Sequence, residues 1–377
     1  MPNTLNRYKI IMNPTTNITA NRLFTLLRLA LWQKEGNIDL FDGITQAEWE
    51  AIYNLALEQG VFAIAFDGAR MLPDHMQPDL DSRIQWGYNV GHIEKVFRHQ
   101  VEVAEKVVSV FADKGIRTMI MKGISVAQYY PQPAHRQFGD IDIYLMGDYD
   151  KGNAIVAAKG TPIKYDYFVH SEFVVGGVNI ENHKTFINAR VNKSAEYVER
   201  ELEQLATDLR PHPIVKGAYA PSPEFNALFL TRHATWHYAR ECVRLRDVCD
   251  WAMFLHHEAD NMDTATVMRN LRESGLERYV SIITEICRNY LGLDKSLPFS
   301  AEYHDLAERV KEDILTFENP DKFRHLGIFR VFMCKIRNRF GRKWCYDFVV
   351  PDSFWGNIGY SIRNYLSKPW VIFKAHV

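Results

Sequence analysis

The sequence predicts an α+β protein in which a small mixed β-sheet is flanked by helical regions on its N-terminal and C-terminal sides. Apolar residues recur at helical spacing over most of the first 114 residues, form short or alternating runs between 116 and 183, and return to helical spacing after 223. Glycines and prolines mark the points where the spacing changes. A chain of 377 residues is long enough to bury a core without disulfides.

Three helices are predicted in the N-terminal region. The first, over residues 21–34, carries its leucines at helical spacing. Thr45 and Glu48 have the spacing of a capping box, which marks the start of the second helix. The third covers residues 80–114 and ends at Gly115, because glycine readily adopts the left-handed conformation that closes a helix.

The middle of the chain is predicted to hold the sheet. In chain order the elements are a buried strand over 116–121, a short helix over 124–130, an alternating strand over 140–145, a connecting helix over 148–159, and two strands over 167–175 and 178–183. Gly176 and Gly177 separate the last two strands and supply the positive φ that a two-residue hairpin turn requires. The last two strands should therefore pair as a hairpin.

Residues 207–223 are rich in proline, and we interpret them as a linker to a second helical region. Ser222 and Pro223 suit the N-cap and first position of a helix, and helical spacing then continues to residue 290. The prediction is four regions: an N-terminal helical region (1–114), a core of strands and helices (115–206), a helical region (207–300), and an aromatic and basic C-terminal segment (301–377).

The composition is typical of a soluble globular protein. Apolar residues make up 47% of the chain and charged residues 24%, and 45 Lys and Arg residues nearly balance 46 Asp and Glu, which excludes a generally basic nucleic-acid coat protein. The sequence has no stretch typical of a transmembrane helix, and its N-terminus lacks the pattern of a signal peptide. The five cysteines form no Cys-x-x-Cys pair, so we expect reduced thiols and a cytoplasmic location.

Two carboxylates on one predicted strand are the strongest sign of chemistry. Asp140 and Asp142 are two residues apart and face the same way, while the neighbouring isoleucines face the core. Adjacent carboxylates repel each other unless a cation relieves the conflict, and Mg²⁺ is commonly held by one or two carboxylates with waters and substrate phosphate oxygens. A glycine turn at Lys122-Gly123 lets the chain approach a phosphate closely, and Glu181 offers a third carboxylate on a later strand. Together these residues predict a site for a metal ion and a phosphate.

The same segment resembles a known family. The motifs that carry the resemblance are Lys122-Gly123, the Tyr-Pro-x-Pro turn at 130–133, Arg136-x-x-x-Asp140-Ile141-Asp142-Ile143, Ile180-Glu181-x-His183, and the helical stretch over 232–247. They are similar to those of the uncharacterised nucleotidyltransferase family within the polymerase-β-like nucleotidyltransferase superfamily, over most of residues 20–260. The resemblance implies an enzyme that transfers a nucleoside monophosphate from a nucleoside triphosphate, expected to be ATP, to an acceptor hydroxyl.

The resemblance also implies roles for individual residues. The residues implied both as catalytic groups and as ligands of Mg²⁺ or Mn²⁺ are Asp140, Asp142 and Glu181. The residues expected to bind the nucleotide phosphates are Lys122, Gly123, Ser125 and Arg136. Gly123 would begin the phosphate turn, while Lys122 and Arg136 flank the acidic motif and can offset phosphate charge.

A second candidate exists for the third carboxylate. A hairpin turn between residues 175 and 178 pairs Phe173 with Ile180 and places Glu172 opposite Glu181. Two carboxylates directly opposite each other are unfavourable unless a cation or solvent separates them. Glu172 is therefore the residue that would serve if Glu181 does not.

The sequence also supports hypotheses in which the chain is not an active transferase. Ile124 lies between Gly123 and Ser125, where the superfamily has Gly followed directly by Gly or Ser, and this favours a catalytically inactive nucleotide-binding or protein-interaction module. Residues 322–346 contain eight Lys and Arg and no Asp or Glu, with aromatics interleaved, as in an RNA-processing protein or a segment that docks on an anionic membrane surface. Our prediction for this segment is an amphipathic helix with its basic face in water. The candidate acceptors are a small molecule, a protein hydroxyl and an RNA end.

Two features of the later helices have structural interpretations. Arg232 and His237 have the Arg-x4-His spacing used in some helical RNA-cleaving domains, but such a pair is common by chance, so we expect structural roles. Asp247 lies among arginines at ion-pairing distance along a helix. It is expected either in an internal salt-bridge network or facing the cleft.

Overall fold

The computed structural model describes residues 14–34, 36–165, 169–295, 297–298, 303–317 and 328–367. Within these ranges the chain forms one seven-stranded sheet covered by helices, which confirms the predicted α+β class. The strands are β1 (Met119–Met121), β2 (Ile141–Tyr144), β3 (Lys164–Tyr165), β4 (His170–Val175), β5 (Val178–His183), β6 (Leu209–Pro211) and β7 (Tyr219–Pro221). Their order across the sheet is β3-β4-β5-β2-β1-β7-β6.

The sheet is mixed, as predicted: β1 is antiparallel to β2 and parallel to β7, and β2 is parallel to β5. The helices are α1 (Pro14–Trp32), α2 (Gln46–Glu58), α3 (Phe62–Arg70), α4 (Leu80–Ala112), α5 (Gly123–Ala127), α6 (Tyr149–Ala158), α7 (Lys193–Leu205), α8 (Pro223–Glu241), α9 (Leu245–Glu258), α10 (Thr264–Glu273), α11 (Glu277–Ile286), α12 (His304–Thr316), α13 (Ile328–Gly341), α14 (Lys343–Phe348) and α15 (Phe354–Ser367). Short 3-10 turns occur at Asp39–Phe41, Asp74–Met76 and Pro133–His135, and a π-helical turn follows α11 at Cys287–Leu291. In the described ranges, no helix has the length and apolar character needed to cross a bilayer.

Local sequence explains several helix boundaries. The Thr45 side chain accepts a hydrogen bond from the Glu48 backbone N–H, and the Glu48 carboxylate accepts one from the Thr45 backbone N–H, so the predicted capping box begins α2. Ser222 caps α8 through the backbone N–H of Phe225, with Pro223 in the first helical position, as predicted. These caps satisfy backbone N–H groups that have no partner inside a helix.

The two faces of the sheet pack against different helices. Ile141 and Ile143 of β2 belong to one hydrophobic core with the side chains of α4. Met119 and Met121 of β1 belong to a second, larger core that includes α1, α8 and α9. Because side chains alternate along a strand, Asp142 points away from α4 and toward the side of the sheet that α8 and α9 cover.

Helices α1 and α3 of the larger core cross closely at Gly68. A Cβ atom at Gly68 would lie 2.1 Å from the backbone carbonyl oxygen of Leu26, which cannot move aside without shifting α1. We therefore expect Gly68→Ala to lower the free energy of unfolding by at least about 2 kcal/mol, measured by urea denaturation. The matched control is Gly91→Ala in α4, where a Cβ atom meets nothing within 4 Å. This substitution should raise the free energy of unfolding by about 0.5–1 kcal/mol. A Gly68→Ala protein as stable as the parent would contradict the close crossing.

The residues predicted to form a linker instead complete the sheet. β6 and β7 both lie within 207–223 and pair antiparallel, and Met119 of β1 pairs with Tyr219 of β7. Proline argues against a central strand, but Pro211 lies in the edge strand β6, and Pro221 is the last residue of the short strand β7 beside it. The linker interpretation is therefore wrong for these residues, and the sheet extends beyond residue 206.

The turn between β6 and β7 is held by a neutral histidine. His212 Nδ1 accepts hydrogen bonds from the backbone N–H groups of Ile214 (3.1 Å) and Val215 (3.0 Å). Burial lowers the pKa of His212 from 6.5 to about 4. The folded state therefore binds this proton less tightly than the unfolded state, so the stabilisation is complete above pH 6.5 and is lost as the pH falls toward 4.

Because protonation of His212 favours the unfolded state, we expect it to lower the free energy of unfolding by up to about 3 kcal/mol between pH 6.5 and pH 4. His212→Asn places an accepting oxygen near the position of Nδ1 but does not titrate. Urea denaturation at a series of pH values should show a shallower loss for this variant than for the parent. Equal slopes for the two proteins would contradict the assignment of a buried neutral imidazole.

The prediction that the basic face of the C-terminal segment (322–346) lies in water is confirmed only in part. Residues 322–327 of this segment lie outside the described residues. Arg337 and Lys343 are exposed, as predicted. Arg342 is buried, contrary to the prediction, and its Nη1 donates to both carboxylate oxygens of Asp313 (2.9 and 2.8 Å). The ion pair with α12 compensates the burial of this guanidinium, so the segment contributes to the core as well as to the surface.

Candidate active site

The sheet register places two of the predicted carboxylates side by side. Asp142 in β2 pairs with Glu181 in the parallel strand β5, and with Met121 in the antiparallel strand β1. Paired residues on neighbouring strands project from the same face of a sheet. Asp142 and Glu181 therefore emerge together on the face opposite α4.

The turn after β1 directs a lysine back onto Asp142. Lys122 separates β1 from α5 and has a positive φ of 47°, a region that residues with a side chain rarely occupy. Its Nζ lies 2.7 Å from Asp142 Oδ1, 3.2 Å from His233 Nε2, and 5.7 Å from the centre of the Phe229 ring. The backbone conformation of the turn is thus coupled to a buried ion pair.

The surroundings keep Lys122 charged and His233 neutral. Burial alone would lower the pKa of Lys122, but the carboxylates of Asp142, Asp140 and Glu181 raise it above the ordinary value. For His233, burial and the charge of Lys122 lower the pKa well below 6.5. A neutral imidazole can accept the hydrogen bond that the ammonium of Lys122 donates.

The two aspartates of the acidic motif have different electrostatic environments. Burial and the charges of Asp142 and Glu181 raise the pKa of Asp140 to about 6. For Asp142, burial would raise the pKa, but Lys122 and His183 outweigh it and hold the pKa well below its usual range. Among the described residues no salt bridge involves Asp140, and the charge of Lys122 only partly offsets the effects that raise the pKa of this carboxyl.

Two histidines complete the acidic cluster. His183 Nε2 lies 2.9 Å from Asp142 Oδ1 and 3.7 Å from Glu181 Oε2. Burial lowers the pKa of His183, but hydrogen bonds to Asp142 and Glu181 raise it to about 9 overall. His170 Nε2 lies 3.6 Å from both Glu172 Oε1 and Glu181 Oε1, so an imidazole separates the two glutamates that the hairpin places opposite each other.

A cavity of about 260 Å³ opens between this face of the sheet and helices α8, α9 and α11. The predicted site residues that line it are Lys122, Gly123, Arg136, Asp140 and Asp142. Ser125 and Glu181 are not part of its lining. Ser125 is fully buried and its hydroxyl oxygen has no hydrogen-bond partner, while Glu181 lies one strand away from the cavity beside His170 and His183. The roles predicted for all of these residues stay predictions.

Arg136 is held in a buried ion pair with a helix. Its Nε donates to Asp250 Oδ1 (3.0 Å) and its Nη2 donates to Asp250 Oδ2. The hydroxyl of Tyr130 donates to the same carboxylate (2.7 Å). This network ties the loop that precedes the acidic motif to α9, so Arg136 positions that loop whether or not it also meets a phosphate.

The far wall of the cavity combines charged and apolar groups. The polar side chains on it include His233, His237, Arg246 and Asp247, and the apolar ones include Leu230, Ala234, Trp251, Tyr279, Val280 and Ile283. Asp247 also accepts a hydrogen bond from the backbone N–H of Arg244 (2.9 Å) at the start of α9. Both interpretations of Asp247 thus have a basis, because it takes part in a local network and borders the cleft.

The Arg-x4-His pair on α8 separates into two roles. Arg232 is only 3% exposed, and its Nη1 donates to both carboxylate oxygens of Asp352 (3.2 and 3.1 Å). His237 borders the cavity instead. The guanidinium is engaged in a buried ion pair, in agreement with the structural interpretation.

The donor set is suited to a divalent cation. Asp140 and Asp142 offer carboxylate oxygens at the cavity, which are the hard ligands that Mg²⁺ and Mn²⁺ prefer, while Glu181 lies outside the cavity lining. The raised pKa of Asp140 reflects negative charge crowded into a buried space, and a divalent ion would relieve that crowding.

A family model described as an uncharacterised nucleotidyltransferase matches residues 45–292. No curated protein and no solved structure matches the chain significantly.

Proposed function

The chain belongs to the uncharacterised nucleotidyltransferase family, and from that premise we propose that it transfers a nucleoside monophosphate from a nucleoside triphosphate to an acceptor hydroxyl with the help of a divalent metal ion. The observation that carries the proposal is the pair Asp140 and Asp142, which line one cavity with Lys122 beside them. ATP is the proposed donor, and the cytoplasm is the proposed location.

Asp140, Asp142 and Glu181 would hold the metal, Mg²⁺ or Mn²⁺. When bound, such an ion neutralises phosphate charge and activates the attacking oxygen. Asp142 lies in β2, Glu181 lies in the adjacent parallel strand β5, and Asp140 comes one residue before β2. The sheet therefore fixes their backbone positions.

The chain's own groups divide the remaining tasks. Lys122 holds Asp142 in place and presents positive charge beside Gly123, while Arg246 presents positive charge from the far wall. The apolar side chains of α8, α9 and α11 offer a surface against which a base or an acceptor can pack. The Asp140 carboxylate lines the cavity and can accept a proton from an attacking hydroxyl.

In the proposed reaction the acceptor oxygen attacks the α-phosphorus in line with the leaving group. A bond forms between that oxygen and phosphorus, and the bond from phosphorus to the bridging oxygen breaks. Pyrophosphate departs with the electron pair of the broken bond, and the hydroxyl proton passes to Asp140.

One observation favours a second candidate, an inactive nucleotide-binding module of the same fold. The phosphate turn of the superfamily would present a Gly or Ser immediately after Gly123, but here Ile124 follows and Ser125 is fully buried within α5. A weakened phosphate turn lowers turnover more readily than it abolishes binding, because the metal and the far wall still contact the nucleotide.

The test is to incubate the purified chain with each of the four α-³²P-labelled ribonucleoside triphosphates, Mg²⁺ or Mn²⁺, and a cell extract. We expect label to appear in an acceptor that is protein, RNA or a small molecule, and to be absent with Asp140→Asn. The matched control is Asp150→Asn, an exposed acid on α6 that should leave labelling unchanged. Binding of a triphosphate without any labelled product would favour the inactive module instead.

A further inference from the structure

A second set of potential ligands lies next to the cavity carboxylates and differs from them in chemistry. His170, Glu181 and His183 each offer one ligand atom, and these atoms all lie within 4.8 Å of one another. His170 and His183 pair across the antiparallel strands β4 and β5, so a hairpin of regular geometry fixes their backbones. Two imidazoles and one carboxylate form a common donor set for metals in proteins.

The hydrogen bonds of the cluster leave ligand atoms turned toward its centre. His183 Nδ1 bonds the carbonyl oxygen of Thr185 (3.1 Å), which fixes the ring so that Nε2 faces both Asp142 (2.9 Å) and Glu181 (3.7 Å). A carbonyl in this position is typical of histidines that bind a metal through their other nitrogen. His170 Nε2 faces Glu172 and Glu181, and its buried Nδ1 has no hydrogen-bond partner.

We propose that His170, Glu181 and His183 bind a divalent first-row transition-metal ion of the Zn²⁺ or Fe²⁺ type, while the Asp140 side of the site takes Mg²⁺ or Mn²⁺. Imidazole nitrogen favours transition metals, whereas Mg²⁺ prefers carboxylate and phosphate oxygen. The site would then hold two ions of unlike type, with Glu181 as a ligand common to both proposed sets.

This inference rests on the proposed function for the role of the ion, since Glu181 is also the proposed third carboxylate of the transfer reaction. Binding itself is independent of turnover and can be measured without nucleotide. A transition-metal ion fixed at Glu181 would complete the metal-binding surface before a Mg²⁺–triphosphate arrives.

The experiment uses the full chain after treatment with a chelator. Co²⁺ is titrated alone and followed by its visible absorption, which strengthens when protein ligands replace the six waters of the free ion in a site of lower coordination number, and Zn²⁺ and Mg²⁺ are titrated by calorimetry. We expect one equivalent of Co²⁺ to bind, Zn²⁺ to displace it, and Mg²⁺ at millimolar concentration not to. His170→Asn should weaken Co²⁺ binding at least tenfold, because it removes one of the three ligands.

The matched control is His99→Asn on α4. His99 contacts the same hairpin through the carbonyl oxygen of Gly176 (2.7 Å) but lies outside the cluster, so its loss should leave Co²⁺ affinity unchanged. His170→Asn is preferred to a change at His183, because His170 makes no contact with Asp142 that folding would require. Circular dichroism confirms that each variant is folded.

The outcomes separate the two proposals. No Co²⁺ binding, or equal Co²⁺ affinity for the parent and His170→Asn, overturns the transition-metal site, even where Mg²⁺-supported transfer of label continues. Tight Co²⁺ binding that depends on His170 supports the site, even where the transfer assay finds no product and the proposed function fails.

Discussion

Replacing both aspartates of the acidic motif, Asp140→Asn with Asp142→Asn, is expected to lower nucleotidyl transfer by at least about 10³-fold and to remove metal-dependent triphosphate binding. A carboxylate-held ion contributes several kcal/mol to phosphate charge stabilisation, and each 1.4 kcal/mol corresponds to about tenfold in rate. The measurement is release of labelled pyrophosphate together with calorimetry of Mg²⁺–triphosphate. Equal Mg²⁺–triphosphate affinity for the double variant and the parent would exclude these residues as metal ligands.

The single substitution Asp140→Asn separates loss of activity from loss of folding. Loss of the Asp142 charge leaves the buried cations Lys122 and His183 without their shared partner, which can destabilise the fold by several kcal/mol. Asp140 makes no ion pair with any residue in the described ranges, so its substitution should lower transfer while the thermal midpoint stays close to that of the parent. Asp150→Asn again serves as the control for an exposed acid.

The second large effect is expected at Asp250. Asp250→Ala should lower the free energy of unfolding by about 3–5 kcal/mol, because it leaves the buried Nε and Nη2 of Arg136 and the hydroxyl of Tyr130 without their acceptor. The side chains of Arg136 and Asp250 are only 7% and 9% exposed, so water reaches this ion pair only from the cavity side and replaces the lost carboxylate poorly. Urea denaturation monitored by tryptophan fluorescence gives the value.

An exposed ion pair near the end of the same helix provides the control. Asp260 pairs with Lys295, but its side chain is 73% exposed, and Asp260→Ala should cost less than about 1 kcal/mol. If Asp250→Ala and Asp260→Ala proved equally mild, the buried network would not be what holds the acidic motif against α9.

Much of the site's framework follows from local sequence rules. The alternation of Asp140 to Ile143 predicts which side chains leave the core, and the Gly176-Gly177 turn predicts a register that places Glu172 opposite Glu181, as observed. The same register pairs residue 170 with residue 183, so the two histidines were within reach of sequence reasoning once the hairpin was drawn. The signal was that all three side chains lie on one face of the hairpin. His183 is two residues after Glu181 on β5, and His170 is paired with His183 across the two strands.

Contacts between parts of the chain that are distant in sequence could not be predicted from the sequence patterns. Lys122 and His233 are 111 positions apart, and Arg136 and Asp250 are 114 apart. Each pair forms only because α8 and α9 pack on one particular face of the sheet at one particular rotation. Helical periodicity shows which side of a helix is apolar, but it does not specify which strand that side will meet.

The strands β6 and β7 were not predicted from the sequence, for a different reason. Short strands with terminal prolines carry little periodic signal, and their pairing depends on a neighbour, β1, that lies about 100 positions away in the chain. Sequence patterns therefore predicted the centre of the sheet better than its edge.

The backbone at Lys122 has a consequence for how this protein would respond to selection for stability. A residue with a side chain at a φ of 47° carries a conformational cost of about 1–3 kcal/mol that glycine would avoid. Glycine at this position would relax the turn, yet it would also remove the ammonium beside Asp142. Under screening for catalysis we expect lysine to be retained at this position. Selection for thermal stability in an Asp142→Asn background should instead favour Lys122→Gly, because the ammonium no longer has its carboxylate partner. The residue found at position 122 after selection therefore distinguishes selection for activity from selection for stability.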